Sequence, residues 1–326
     1  MIITKLNIYM FDTPFISPIK TNLITLNTRK VLVIGAIIDG FEYFAEANSF
    51  ETPWYHYETI DTVHQTVIQI FDRIKGKSFS SINEMQPFLD INHPNASSCF
   101  DVIAYQYFNS LKPVRIPLGQ TLHHDDTLIH TNASRIKLKM HNHILQQVKS
   151  LREISDIQIV IDANGLLDSS HFKLLNCLSE HNILYFEQPF KSIMDYKLIH
   201  DLYPHINLAI DESATDVASI ERFQDIGVET AVIKYSRIGG ITKALQLTSY
   251  LPDMQFVAGG MYEFGLSKYY TALLGEHFQT VPDVTAKGTY FKCDFVDYDE
   301  LLIGNKIQLS VPKVKPSHLN LIASFV

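Results

Sequence analysis

An α/β fold is predicted: a (β/α) barrel of the TIM type behind an N-terminal α+β region. Three observations carry this. After about residue 110, short apolar strands alternate with amphipathic helices, the pattern of parallel βαβ units. The strands are apolar on both faces, as buried parallel strands are. The polar residues that end successive strands, Lys139, Asp162, Glu187, Asp211 and Lys234, recur at intervals of 23, 25, 24 and 23 residues, and another 23 reaches Val257 in the next strand. A barrel of roughly 250 residues spends about 25–30 per unit. A doubly wound open sheet is the alternative closure, and its ligand site also sits at carboxyl strand ends.

The elements follow in order. Residues 1 to about 50 read as β. Met1–Met10 alternates, and Val31–Ile38 ends at Asp39 and Gly40, a hairpin turn signal before "FEYFAEA". Between them "DTPFISPIKTN", with two prolines and no periodicity, reads as a loop. Helical spacing begins behind Thr59, a capping residue, in "TIDTVHQTVIQIF"; Pro94 suits the first turn of the next helix. The barrel units begin with "RIKLKM" and "NHILQQVKSLREI", continue through "IQIVID", "ILYFEQP", "NLAIDES" and "TAVIKYS" with their helices, and reach "QFVAGG" before "SKYYTALLGEH".

Composition narrows the function classes. The 326 residues are 46% hydrophobic and 19% charged, ordinary for a globular protein. A net charge of −8 weighs against nucleic acid or an anionic membrane as partner. Cys99, Cys177 and Cys293 are widely spaced and odd in number, which fits reduced thiols in a cytoplasmic protein. No signal peptide is read at the start, and "VLVIGAII" is too short to span a bilayer. The sequence carries no signal for an oligomeric state.

"RIKLKM", residues 135–140, places Arg135, Lys137 and Lys139 on one face of a strand. In a barrel that face is the interior, and Lys139, Asp162, Glu187, Asp211 and Lys234 all sit at C-terminal strand ends, where barrel active sites lie. Three converging carboxylates repel unless a cation sits between them. An all-oxygen set without His or Cys suits Mg²⁺, or Mn²⁺ in its place. Crowded cations are expected to depress a lysine pKa and make a usable base. The substrate class that fits is a small-molecule carboxylate whose α-proton is removed, as in metal-assisted enediolate chemistry. Two other patterns are set aside. "GKS" at 76–78 lacks the glycine a phosphate loop needs, since residue 71 is Phe71. "HHDD" at 123–126 reads as a solvated loop.

The chain resembles the enolase superfamily, muconate-lactonizing subgroup, and within it the o-succinylbenzoate synthase family. The motifs are "KLK" (137–139), "DAN" (162–164), "EQP" (187–189), "DES" (211–213), Lys234 followed by "RIGG" (237–240), and "GGM" (259–261). The resemblance implies metal ligands at Asp162, Glu187 and Asp211. It implies Lys139 as acid/base catalyst, Lys137 holding its pKa down, and Lys234 stabilising the enediolate from the far side. Asn164, Gln188 and Glu212 would orient the ligands. Asn164, Gly260, Met261 and Tyr55 are the implied substrate contacts; Trp54 is expected in the same loop, with packing in the cap an equal expectation. The implied organisation is a cap over 1–110, a catalytic barrel over 111–290, and a segment over 291–326 returning to the cap. The implied reaction is dehydration of a cyclohexadiene carboxylate; racemisation of N-acylamino acids or epimerisation of dipeptides stands as the alternative on the same residues. Two departures are noted: "QTVPDVTA" lacks the expected turn glycine, and the C-terminal tail lacks a glycine-rich ending.

Overall fold

The computed structural model describes residues 1–21, 23–122 and 132–326. The histidine and aspartate pairs at 123–126 lie outside them.

The N-terminal sheet is antiparallel: β1 (Ile3–Lys20), β2 (Thr25–Ile38) and β3 (Phe41–Ala47). Asp39 and Gly40 turn β2 into β3 with φ of 52° and 83°, the positive pair that a tight hairpin requires. The stretch read as a loop is instead the outer half of the β1–β2 hairpin. The strands stay paired to Pro14↔Thr28, break, and pair again at Ile19↔Leu26. The prolines cannot donate to a ladder, so they fall beside the break, and this hides the strand from a reading of alternation.

Helices α1 (Ile60–Ile74), α2 (Ile82–Met85) and α3 (Pro94–Phe108) cover this sheet. Thr59 and Thr62 cap α1 reciprocally, each side chain accepting from the other's backbone N–H. Ile60, Val63, Val67, Ile70 and Ile74 form its buried stripe. α3 is buried all round from Asn95 to Ala104, because it lies between the cap sheet and the barrel.

β4 (Val114–Pro117) leads into seven parallel strands lying side by side in chain order: β5 (Gly119–Leu122), β6 (Arg135–Lys139), β7 (Gln158–Asp162), β8 (Ile183–Glu187), β9 (Leu208–Ile210), β10 (Thr230–Ile233) and β11 (Gln255–Ala258). Helices α4 (Ile144–Ile154), α5 (Phe172–Ser179), α6 (Ile193–Leu202), α7 (Val217–Gln224), α8 (Ile241–Tyr250) and α9 (Gly265–Phe278) follow β6 to β11 in turn. Two cores explain why the strands are apolar on both faces. Ile136, Leu138, Ile159, Ile161, Phe186, Ile210 and Ile233 join the large outer core. Val160, Tyr185, Ala209, Val232 and Val257 form a separate inner one.

The segment 279–284 occupies the eighth position without being a strand. Asp283 N–H donates to Ala258 O at 2.8 Å and Thr280 Oγ1 to Phe256 O at 2.8 Å, both on β11. On the other side, Gly119 of β5 lies so near that a Cβ there would meet Val281 at 3.1 Å.

The chain then forms β12 (Val296–Asp297), β13 (Glu300–Ile303), β14 (Lys306–Leu309), β15 (Lys313–Val314) and β16 (Asn320–Phe325). β14 joins β13 to β4, and β16 pairs with β1 as the fourth strand of the cap sheet. Carboxylates tie the two halves. Glu46 of β3 accepts from Phe264 N–H and Ser267 N–H at 3.0 Å each, capping α9; Asp101 of α3 accepts from Thr242 N–H at 2.9 Å at the start of α8. Gly240 leaves room for that approach, since a Cβ there would lie 2.3 Å from the Asp101 carboxyl. Among the described residues no helix is long and apolar enough to cross a membrane.

Candidate active site

Parallel strands in register point neighbouring side chains the same way. Lys139 therefore lies beside Asp162, and Asp162 beside Glu187. Asp211 and Lys234 directly follow β9 and β10. The five period-marking residues are neighbours along the barrel rim, and the inner core lies beneath them.

The three cations of β6 have separate partners. Arg135, deepest, donates to Tyr185 Oη at 3.0 Å and to Asp283 Oδ1 at 2.5 Å. Lys137 Nζ lies 2.7 Å from Glu187 Oε1 and 2.5 Å from Asp283 Oδ2. Lys139 Nζ, the most exposed, lies 2.5 Å from Asp162 Oδ2 and 3.1 Å from Asn164 Oδ1. At the other end of the row, Lys234 Nζ lies 2.6 and 2.5 Å from the two Asp211 oxygens. Arg237 reaches Asp211 Oδ1 at 3.1 Å and also donates to the Asp211 carbonyl.

Electrostatics follow from burial and these contacts. Burial pulls the Lys139 ammonium down, and Lys137 pushes the same way. The Asp162 carboxylate, helped by Glu187, outweighs both and holds Lys139 above the ordinary lysine value. The expected lowering by Lys137 is therefore present but overridden. Lys137 itself is pulled down by burial and raised further by Asp283 and Glu187, so it too ends above its usual range. Lys234 shows the same balance with Asp211 and Glu212. Burial pushes Glu187 up, and Asp162, Asp283 and Asp211 add to that against the pull of Lys137. Arg237 is lowered to about 10 by burial.

Around the row, Asn164 bridges by donating from Nδ2 to Glu212 Oε1 at 3.1 Å. Gln188 Oε1 accepts from Asp211 N–H at 2.9 Å and Ser213 N–H at 3.1 Å, which fixes the loop after β9. Asn164 and Gln188 hold φ of 46° and 39°, left-handed backbone that clusters at functional sites. From the cap, Tyr55 stacks its ring 5.4 Å from Lys234 Nζ and 5.2 Å from the Arg237 guanidinium. Trp54 packs on Phe50, ring centres 4.8 Å apart. Met261 lines a small polar enclave with Tyr55, Asn48, Asn95, Lys234 and Arg237. Gly260 backs onto the Asp283 carbonyl, 2.6 Å from where its Cβ would stand.

Asp283 is the residue that sequence reasoning missed. It neutralises Arg135 and Lys137 together, and burial is outweighed by those cations, so its carboxyl falls far below the usual range. The signal was present: one more period step beyond Val257 reaches this neighbourhood.

A divalent cation can be tested against this donor set. Asp162, Glu187 and Asp211 are all buried, offer only oxygen, and follow one another on consecutive strands. Glu212 Oε2 nearby is buried without a hydrogen-bond partner among the described residues. As placed, each carboxylate is engaged by a lysine, and among the described residues no three acidic, His or Cys side chains close into a cage. Donor type and order fit a hard, oxygen-seeking ion; closing a cage requires the carboxylates to turn from the lysines.

The fold has counterparts among known proteins. Residues 126–256 match the family described as enolase C-terminal domain-like. The o-succinylbenzoate synthase of Bacillus subtilis is 27% identical over 332 aligned residues, covering 91% of this chain and 89% of that protein. A crystal structure of an enolase-superfamily member from Listeria innocua superposes with a TM-score of 0.84 at 20% identity, covering 100% of this chain and 98% of that one. The L-Ala-D/L-Glu epimerase of Bacillus subtilis superposes at 0.78 with 16% identity, covering 100% of both chains.

Proposed function

We propose, from the premise that this chain resembles the enolase superfamily over nearly its whole length and carries its fold, that it is a Mg²⁺-dependent o-succinylbenzoate synthase of menaquinone biosynthesis. The observation that carries the reading is the rim row: a carboxylate series with Lys139 at one end and Lys234 at the other. The reaction is dehydration of 2-succinyl-6-hydroxy-2,4-cyclohexadiene-1-carboxylate to 2-succinylbenzoate. The synthase relative from Bacillus subtilis supports this choice within the superfamily.

Asp162, Glu187 and Asp211 would hold the ion. Bound there, it would supply positive charge where negative charge develops on the substrate, and it would take the Asp162 carboxylate from Lys139. Lys139, as a free amine, takes the α-proton of the substrate. The electron pair moves onto the carboxylate, where the Lys234 ammonium offsets it. The pair then returns, the C–O bond at the neighbouring carbon breaks, and Lys139 gives its proton to the departing hydroxyl. Water and an aromatic ring result, and Lys139 is again the amine. Asn164 holds Lys139 in line.

The two lysines at opposite ends of the row also favour a second reading, 1,1-proton transfer on an N-acylamino acid or dipeptide, each lysine serving one face. The epimerase likeness is one of fold alone. Two assays on one purified sample with Mg²⁺ decide between them. One follows loss of the cyclohexadiene chromophore, the other optical rotation of an N-acylamino acid. Chelator-sensitive dehydration is the expected result; racemisation without dehydration would move the protein to the second reading.

A further inference from the structure

We infer that Arg29 is a positioning residue for the site: its one guanidinium sets the spacing of two loops, one from the cap and one from the barrel, that close on Lys234. This rests on the proposed dehydration for the part Lys234 plays, and on contacts alone for the loops.

Arg29 lies in β2 and is only 1% exposed. Among the described residues it pairs with no carboxylate, and its hydrogen bonds all go to backbone carbonyls. Nη1 donates to Ser49 O at 2.6 Å and to Lys30 O at 2.9 Å, and Nε donates to Tyr262 O at 3.3 Å. The guanidinium carbon lies 4.3 Å from the centre of the Phe50 ring. A buried cation without a counter-charge is costly to keep, and an apolar side chain would fill the same space. What an arginine adds is a rigid planar fork, whose donors hold several acceptors at fixed separations. Here the fork joins Ser49 of the cap to Tyr262 of the barrel, far apart in the chain.

Each carbonyl belongs to a segment that reaches Lys234. From Ser49 the cap loop runs through Phe50 and Trp54 to Tyr55. The Phe50 ring centre stands 4.8 Å from that of Trp54 and 6.3 Å from that of Tyr55. The Tyr55 ring in turn faces Lys234 Nζ and the Arg237 guanidinium. On the barrel side, the loop after β11 begins at Gly259, whose N–H donates to Ile233 O at 2.9 Å. A Cβ on Gly259 would stand 3.2 Å from Lys234 Cγ, so this backbone lies directly on the lysine stem. At its other end the loop is held by Glu46, which accepts from Phe264 N–H. Arg29 grips it between those anchors. Tyr262 holds a φ of 47° there, a conformation uncommon for a bulky residue and retained where surroundings enforce it. Tyr55 and Met261, one from each loop, line the same enclave beside Lys234. One side chain therefore fixes both walls against that end of the row.

The test compares wild type with Arg29→Lys, as full chains with Mg²⁺. Lysine keeps the charge and the stem, but its single ammonium cannot hold two carbonyls in a fixed fork. Trp54, the only tryptophan in the chain, packs on Phe50 in the cap loop and reports on that loop directly. Its emission and its quenching by acrylamide are read at a temperature where melting curves show both proteins folded. Dehydration kinetics are recorded on the same samples. In the variant Trp54 should emit further to the red and quench more readily. Its kcat should fall by about ten- to a hundredfold, the effect of a slightly misplaced group beside the chemistry, with KM changed by less than about twofold. A purely structural role would lower the melting temperature and leave both readings of the folded protein unchanged, and that result overturns the inference. So does a loss of kcat with Trp54 unchanged, or a Trp54 change with kcat unchanged. If Arg29→Lys does not fold, Arg29→Gln, which buries no charge, takes its place under the same readings. Failure of both to fold marks a structural role and also overturns the inference. A wild type that does not dehydrate defeats the proposed function itself; Trp54 alone then decides for or against the clamp on the two loops.

Discussion

Lys139 is the base of the proposed reaction, and its setting lets that role be tested apart from folding. Its side chain remains 39% exposed, and its ion pair is with Asp162, which sits beside it in register. Lys139→Ala should lower turnover by at least about 10²–10⁴, the usual share of a positioned acid/base, with an unchanged melting curve. Activity within tenfold of wild type would remove it from the mechanism. Asp283 behaves in the opposite way, as a deep counter-ion for two buried cations. Its pKa is depressed, so its contribution to stability is complete above the ordinary aspartate value and is lost as pH falls from there toward the depressed one. Asp283→Asn should therefore flatten the acid limb of the stability curve below about pH 4. At neutral pH it should cost roughly 3–5 kcal/mol by leaving Arg135 and Lys137 short of a partner; an unaltered acid limb in chemical denaturation would show that another group carries that dependence. Lys139 could be read from alternation and period. Asp283 was within reach of the period alone, because its segment follows neither a strand nor a helix pattern.

At the level of elements, burial and capping decide what holds the cap to the barrel. Glu46 comes from a cap strand yet closes the N-terminus of α9, through two backbone donors in a site where Glu46 is 2% exposed. Burial drives its pKa up to about 7 despite those donors, so the carboxylate is held at an electrostatic cost. Glu46→Ala removes the acceptor and leaves two buried N–H groups unpaired, which should cost about 1–3 kcal/mol. Thermal unfolding should drop by several degrees; a melting temperature within a degree of wild type would mean water replaces the carboxylate. Pairings of this kind were invisible in sequence, since Glu46 and Phe264 are far apart along the chain. The same limit explains the β1–β2 hairpin, whose outer half is set by partner strands while its prolines signal a loop. Thr59, Pro94 and the βα alternation were legible because their physics is local.

For the whole molecule, the period of the strand ends made the barrel legible, since one repeat fixes both the spacing of strands and the rim position of five charged residues. The closure of the ring was less so, because its eighth position is filled by an irregular segment tied to β11 by Asp283 and Thr280. The arrangement of the rim leads to a prediction about the folded state as a whole. Asp162, Glu187 and Asp211 come from three successive strands and can share one ion only when the barrel is intact, so a divalent cation should bind the folded chain and not the unfolded one. Binding of that kind stabilises by mass action, about 2.7 kcal/mol when the free ion is a hundredfold above its Kd. Excess Mg²⁺ should therefore raise the melting temperature by several degrees over a chelated sample, with Mn²⁺ acting likewise. Glu187→Gln keeps the size of the side chain and removes one anionic donor, so its Mg²⁺-dependent shift should shrink or vanish. An equal shift in wild type and Glu187→Gln would take Glu187 out of the ligand set; no shift in wild type at millimolar Mg²⁺ would leave the lysines, rather than an ion, as the partners of this carboxylate row.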